Sequence, residues 1–391
     1  MNRNVLILAL CQAMLFTGIG LVISSSALIG KELAPSPAWA TLPLAMQYLT
    51  TMLVAYYFSH LMKKKGRRHV FIRGALTGSV GVIIASIGIW LGNFYLFTAA
   101  SLLIGVHTAI AQFYRFAAAE AVPAELKARA ISLTLAGGVF AAFIGPNLAR
   151  YTRNLMEHAF LASFLSLIII TAAAAWLASR LDLPPVPADE SHQGARPLLQ
   201  IATQEKYMVA LLAAMVGYGV MNFLMTATPL AMNSYGCSFP STTWVIQWHL
   251  VAMFAPSFFT GDLIRKIGVL QVMLTGCVLI LACALTNLAG TTETHFETAL
   301  ILLGVGWNFL YVGATTLLTE TYTPNEKSTA QGLNDTLVFA TLTFTSLASG
   351  AMITHFGWPT INTYSTIPVL VVSSGLVWLL LRSRAPASRN T

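Results

Sequence analysis

Only 9% of the 391 residues are Asp, Glu, Lys or Arg, so each charge inside an apolar stretch stands out. Arg115, Glu120, Asp262, Glu320 and Asp335 all fall near the edges of such stretches. A charged side chain at a bilayer centre costs roughly 2.5–3.5 kcal/mol, which makes it a functional candidate. None of the acids is central. Their clustering suggests a gate, in which Arg115, Glu120, Glu320 and Asp335 form ion pairs that hold one side shut. The alternative is that each snorkels to the interface and marks a helix end. His107 and His249 lie nearer the middle of their stretches. An imidazole changes charge near neutral pH, so either could carry a coupling proton or serve as a hydrogen-bonding partner.

Amides and aromatics supply the remaining candidates: Gln12, Phe16, Gln112, Tyr218, Asn222, Trp307, Asn308 and Tyr311. At helical spacing Trp307, Asn308 and Tyr311 share one face, as do Tyr218 and Asn222. A cavity of rings and amides with no central carboxylate suits a neutral, zwitterionic or weakly charged organic molecule, a planar one included. Packing against lipid or another helix is the competing role for every ring. The chain shows no paired-carboxylate metal site, no His-Glu-x-x-His helix and no nucleophile beside a base. It also lacks a glycine-rich phosphate cradle. The expectation is a non-enzyme with no metal, no cofactor and no ATP-driven step.

The elements that position these residues are apolar runs. Hydrophobic residues form 56% of the chain, and a span needs about 20 of them in succession. Twelve runs qualify: 4–30, 41–62, 70–91, 94–119, 130–151, 159–179, 207–231, 242–264, 268–289, 296–318, 332–354 and 364–381. The first is too long for a signal peptide and lacks a clear cleavage site before Lys31. With an even number of spans and both termini inside, every Lys and Arg except Lys31, Arg150 and Arg153 falls at the cytosolic side. The net charge of +8 therefore reports orientation, and nucleic acid is not an expected partner. The four cysteines imply neither disulfide nor metal.

Two basic turns organise the pattern. Ser59-His60-Leu61-Met62-Lys63-Lys64-Lys65-Gly66-Arg67-Arg68 follows the second run, and Gly261-Asp262-Leu263-Ile264-Arg265-Lys266-Ile267-Gly268 follows the eighth. Leu61/Leu263, Lys64/Lys266 and Gly66/Gly268 coincide at an offset of 202 residues. A second repeat aligns Gly105-Val106, Glu120, Pro123 and Glu125 with Gly304-Val305, Glu320, Pro324 and Glu326. Glycines at helical spacing (Gly74, Gly78, Gly81) mark close packing. The Gly145-Pro146 pair marks a helix bend.

A basic turn of this type between the second and third spans resembles the signature loop of the major facilitator superfamily of transporters. The resemblance implies an all-α membrane protein of twelve transmembrane helices in two six-helix bundles related by a pseudo-two-fold axis. It places the first, fourth, seventh and tenth spans around a central cavity and implies alternating access. The bundles would occupy residues 1–180 and 207–391, with 181–206 a flexible, proline-bearing cytoplasmic linker.

The implied function is secondary active transport of a small organic solute across a bacterial inner membrane. Proton coupling, a monomer and cytoplasmic termini complete the expectation. Multidrug or toxin efflux is the alternative, and a polytopic enzyme the reading from another class. Lys63 stands where the family loop usually has an aspartate, and Ser59 replaces its leading glycine. Ser101 stands where proton antiporters of the family usually have an arginine. These departures weaken the multidrug reading without touching the fold.

Overall fold

The computed structural model describes residues 2–123, 126–183 and 196–384. The core of the predicted linker, 184–195, and Glu125 of the second repeat lie outside the described residues. Every described regular element is helical. The N-terminal half holds α1 (Arg3–Leu33), α2 (Leu42–Lys65), α3 (Arg67–Trp90), α4 (Phe94–Ala111), α5 (Tyr114–Glu120), α6 (Lys127–Thr152) and α7 (Leu161–Ala178). The short α8 (Leu198–Ala202) leads into α9 (Glu205–Ser234), α10 (Phe239–Phe254), α11 (Ser257–Ile267), α12 (Val269–Ala289), α13 (Glu293–Thr319) and α14 (Lys327–Arg384).

Eight helical stretches are each long and apolar enough to cross a membrane. The last, Thr329–Ser383, is broken into two arms by Gly357 at φ 75°. With α2, α6 and the interrupted α10–α11, the described residues supply twelve rods, consistent with the twelve apolar runs. A 24-residue helix such as α2 or α3 is about 36 Å long, against hydrocarbon about 30 Å thick.

Local chemistry sets the boundaries. Asn2 and Asn93 cap α1 and α4 by accepting the amides of Asn4 and Leu96, and Ser238 caps α10 in the same way. The two basic turns are the same structure twice. Gly66 sits at φ 79°, ψ 148° and Gly268 at φ 93°, ψ 151°, a region essentially closed to residues with a Cβ. These turns mark one end of the molecule, called here the basic face.

Glycine also sets the crossings. A Cβ on Gly145 would lie 2.5 Å from the carbonyl oxygen of Thr17, so α6 crosses α1 nearly backbone to backbone. The helix continues through Pro146 as one element, and Gly145 provides the close approach to α1.

The halves are joined unevenly. The core furthest from the basic face mixes both, with Leu28, Phe97, Phe160 and Phe164 packed against Leu230 and Phe239. The core at the basic face of the first half (Val5, Met62, Phe71, Tyr114, Leu181) draws on that half alone. The second half is one continuous apolar cluster that includes Tyr207, Phe296, Trp307 and Trp358.

Candidate functional site

Between the halves lies a cavity of about 90 Å³. The N-terminal wall offers hydrogen-bonding groups, namely Gln47 and Tyr48 of α2 with Thr108 of α4 and Gln112 at its C-cap. The C-terminal wall offers Tyr218, Met221, Met253, Phe254 and Phe339. None of the lining residues is acidic, Lys or Arg. The repeat explains the two faces. At the offset of 199 that aligns Gly105 with Gly304, Thr108 and Gln112 correspond to Trp307 and Tyr311.

Trp307 and Tyr311 form a second layer behind the lining. Their rings stack at 5.3 Å and 11°, and Tyr218 meets both edge-on at 5.1 and 4.9 Å. Phe254 continues the series, 6.4 Å from Trp307 and 5.0 Å from Phe16 across the divide. Each such pair adds about 0.5–1.5 kcal/mol beyond area burial.

Two helices break beside this cavity, where backbone freed from helical bonding is tolerated. The fourth rod is interrupted at Gln112–Phe113, next to the lining side chain of Gln112. The eighth is interrupted at Ala255–Pro256, next to Phe254.

Asn308 supports that second break. Its amide donates to Met253 O and Ser257 Oγ at 2.7 Å each, and its Oδ1 accepts from Thr260 at 2.7 Å. Asn308 is therefore committed to repairing α10–α11 and does not line the cavity. Asn222 ties α9 to α14 through Leu342 O and Thr345 Oγ1, 3.1 and 3.0 Å away. His249 donates from Nδ1 to Leu300 O at 2.7 Å and is fully buried between α10 and α13. Gln12 is buried within α1 and lines neither cavity. His107 lines a separate, smaller cavity inside the first half. Of the cavity residues expected from sequence, Phe16, Gln112 and Tyr218 reach the lining.

At the basic face each ion pair among the described residues closes within one half. Arg67 Nη2 meets Glu120 Oε1 at 2.6 Å and Lys206 Nζ meets Glu320 Oε2 at 3.0 Å, with Asp262–Arg265 and Glu205–Arg382 also paired. Lys64, Arg68 and Lys266 are exposed, and Gly261 has open space beside it. Arg115 lies over the Phe116 ring at 4.9 Å, and Asp335 accepts from Asn334 at 3.1 Å. Among the described residues Arg115 and Asp335 make no ion pair, because in this conformation no described polar contact joins the halves at that face.

Just below the Glu320 helix end, Arg196 grips Glu326 at 2.7 and 2.8 Å and also donates to Thr321 O. These bonds hold the Glu326 carboxyl well below the usual carboxylate range, Arg196 being the largest cause.

The opposite face is sealed by contacts that the sequence did not single out. Lys31 donates to Asn233 at 2.7 Å, Asn147 to Gln247 at 2.5 Å, and the Gly350 amide to Thr41 at 3.2 Å. The Arg153 guanidinium sits 5.0 Å from the Phe160 ring and 4.7 Å from the Phe239 ring of the other half. Phe160 holds φ 66°, a left-handed conformation rarely adopted by an aromatic residue and costing of order 1–3 kcal/mol. A signal was present: Lys31 and Arg153 are two of the three cations that depart from the charge bias.

The sequence matches the Major Facilitator Superfamily over residues 8–338 and again over 209–391. It is 38% identical over 384 residues to the riboflavin transporter RfnT of Brucella anthropi, covering 97% of this chain and 96% of that protein. The uncharacterized MFS-type transporters YdeG and YddS of Bacillus subtilis are 25% and 24% identical. Those alignments cover 96% and 99% of this chain, and 92% and 93% of the respective relatives.

Proposed function

Because the chain belongs to the major facilitator superfamily, and is thus an integral membrane transporter and not an enzyme, we propose that it carries riboflavin or a similar uncharged flavin. The carrying observation is the two-faced cavity. A flat heteroaromatic ring matches the wall of Tyr218 and Phe254 backed by Trp307 and Tyr311, and a hydroxylated chain matches Gln47, Thr108 and Gln112. The uncharged lining suits a neutral solute and gives a phosphate ester no cationic partner. The relative named for riboflavin supports the same substrate class.

In this reading the basic face is cytoplasmic, both termini lie there, and the membrane is the bacterial inner membrane. The described state is shut towards the outside. At about 90 Å³ the cavity is below the 300–1,000 Å³ of drug-sized sites. A flavin therefore enters as the halves part at the basic face and the Phe16–Phe254 contact opens. The driving ion is the proton, and Arg115 with Asp335 closes the cytoplasmic side in the alternate state.

Uptake of riboflavin into proteoliposomes, followed by flavin fluorescence with and without a pH gradient, tests the proposal. The expected result is gradient-dependent riboflavin movement that excess riboflavin phosphate does not inhibit. Failure of riboflavin both to bind and to move would overturn it.

A further inference from the structure

At the basic face the outward corners of the two halves repeat one another, with one exchange of charge. At the offset of 202 that superposes the basic turns, α1 begins at Arg3 and α9 at Glu205, with Asn2 and Gln204 as N-caps. Each cap ties its helix to the turn after the fourth rod of its half. Asn2 donates to Ala121 O at 2.7 Å and Gln204 to Thr321 O at 3.0 Å. The outward stripes coincide as well. Leu6 and Leu10 are 43% and 44% exposed, and their counterparts Met208 and Leu212 are 44% and 47% exposed.

The last span of each half keeps the same register. Ile169, Trp176 and Arg180 correspond to Val371, Trp378 and Arg382, and all six are exposed. Each arginine lies over the ring one turn before it, Arg180 5.0 Å from Trp176 and Arg382 5.4 Å from Trp378. Tryptophan at a span end anchors at the membrane–water interface, which puts both guanidinium groups at the headgroup level.

The first helix supplies the difference. In the second half Glu205 pairs with Arg382, so that arginine has its counter-ion within the chain. In the first half Arg3 stands at the place of Glu205. Asn4 holds Asp182 by both backbone groups, donating from Nδ2 to Asp182 O at 2.5 Å and accepting the Asp182 amide at 3.0 Å. These bonds bring the start of α1 against the chain that leaves α7. Asp182 is the acid next to this corner. Among the described residues neither Arg3 nor Arg180 pairs with it or with any other acid. Two exposed cations therefore stand where the other half has a cation and its partner.

Snorkelling alone would leave both guanidinium groups to water. The surroundings offer more than water needs. Leu6 and Leu10 of α1, with Ile169 and Trp176 of α7, rise from the arginines as exposed apolar stripes that suit an acyl chain. A guanidinium forks onto two phosphate oxygens, and basic pockets between spans on the cytoplasmic side take anionic headgroups. A phospholipid brings phosphate and acyl chain together, whereas a soluble anion makes no use of the stripes.

We propose that Arg3 and Arg180 hold the phosphate of an anionic phospholipid in the leaflet at the basic face. The membrane thereby supplies the counter-ion that Glu205 supplies in the second half. This assignment is independent of the transported solute.

Native mass spectrometry of the purified full chain, released from micelles holding equal amounts of phosphatidylglycerol and phosphatidylcholine, tests the site. The wild-type protein is expected to retain phosphatidylglycerol in preference. Arg3→Gln and Arg180→Gln should each lower that retention about fivefold, the effect of one cation near an anionic surface, and leave phosphatidylcholine unchanged. Arg3→Glu gives the first half the arrangement of the second. It should lose the preference while its melting temperature in phosphatidylcholine micelles holds or rises.

Equal retention of the two lipids by the wild type overturns the site, as does an unchanged preference in the variants. Displacement of the lipid by excess inorganic phosphate assigns the corner to a soluble anion and overturns the lipid. Should Arg3→Glu fail to fold, the two glutamine variants decide the question, their melting temperatures showing that each is intact.

Discussion

At one helix crossing the sizes are reversed between the halves: a Cβ on Gly78 would fall 2.7 Å from Cγ of His107, and at the corresponding positions of the second half a Cβ on Gly306 would fall 2.8 Å from Cγ1 of Ile280. Two residues before His107 and before Gly306, Gly105 and Gly304 also bring the fourth rod of each bundle against the second. A Cβ there would fall 2.4 Å from Gln47 O or 2.7 Å from His249 O. The shared geometry is what duplication preserved, and the side chains hung on it have diverged. The first half kept hydroxyls, amides and an imidazole around two cavities. The second became an apolar block faced with stacked rings. A transporter needs both, since a rocking half must be stiff and a binding wall must hydrogen-bond.

If the crossing is shared, it should fail equally in either half. Gly105→Val and Gly304→Val are each expected to abolish recovery of monodisperse protein, at or beyond the roughly 3 kcal/mol upper range of overpacking. Size-exclusion of detergent extracts checks this, and tolerance in one half only would break the comparison. The exchanged pair makes a finer test. Gly78→Ile and His107→Gly should each lower the melting temperature, whereas the double variant recovers much of the loss, with coupling of about 0.5–3 kcal/mol. Simple additivity would show that the two positions are not partners.

The two walls can be separated by ligand. Tyr218→Ala and Phe254→Ala should raise the Kd for riboflavin about tenfold, or about 1.4 kcal/mol, and do the same for lumiflavin, which lacks the ribityl chain. Gln112→Ala should cost only the 0.5–1.5 kcal/mol of about one hydrogen bond, and for riboflavin alone. Equal effects of all three on both ligands would erase the distinction.

Outside the membrane, the end of the linker is tied to the second half by Arg196–Glu326. The Glu326 carboxyl is depressed, so its stabilisation is full above the ordinary glutamate value of about 4.3 and is lost as pH falls below it. Glu326→Gln should therefore melt lower than wild type at neutral pH, with the gap closing in acid. Asp262→Asn, which removes an exposed pair, should change stability by less than about 1 kcal/mol.

Much of this was legible in the chain. The repeated glycine turns, the apolar runs and the Gly105/Gly304 match rest on local conformation and periodicity, and they stand in the structure. Phe16, Gln112 and Tyr218 were chosen by residue type on spans that the family resemblance places around a cavity, and they line the cavity of the structure. Asn222, Asn308 and His249 carry the same types, yet they bond across helices, because the neighbour that satisfies each lies some 50 to 120 residues away. Of the Arg153–Phe160–Phe239 seal only the cation was legible, as a departure from the charge bias; a backbone angle of 66° at Phe160 has no signature in residue order.

Composition and hydropathy by themselves determined that the chain is a membrane-embedded helical protein, and the matched basic turns showed that part of its pattern recurs. Twenty-residue apolar runs have no other stable form in lipid, where each backbone group must bond within its own segment. Only the tertiary structure decided which polar side chains face a cavity and which are consumed as helix ties. It also decided which face is sealed. Periodicity tells which residues share a side of a helix, but the packing partner alone decides whether that side meets water, substrate or another backbone.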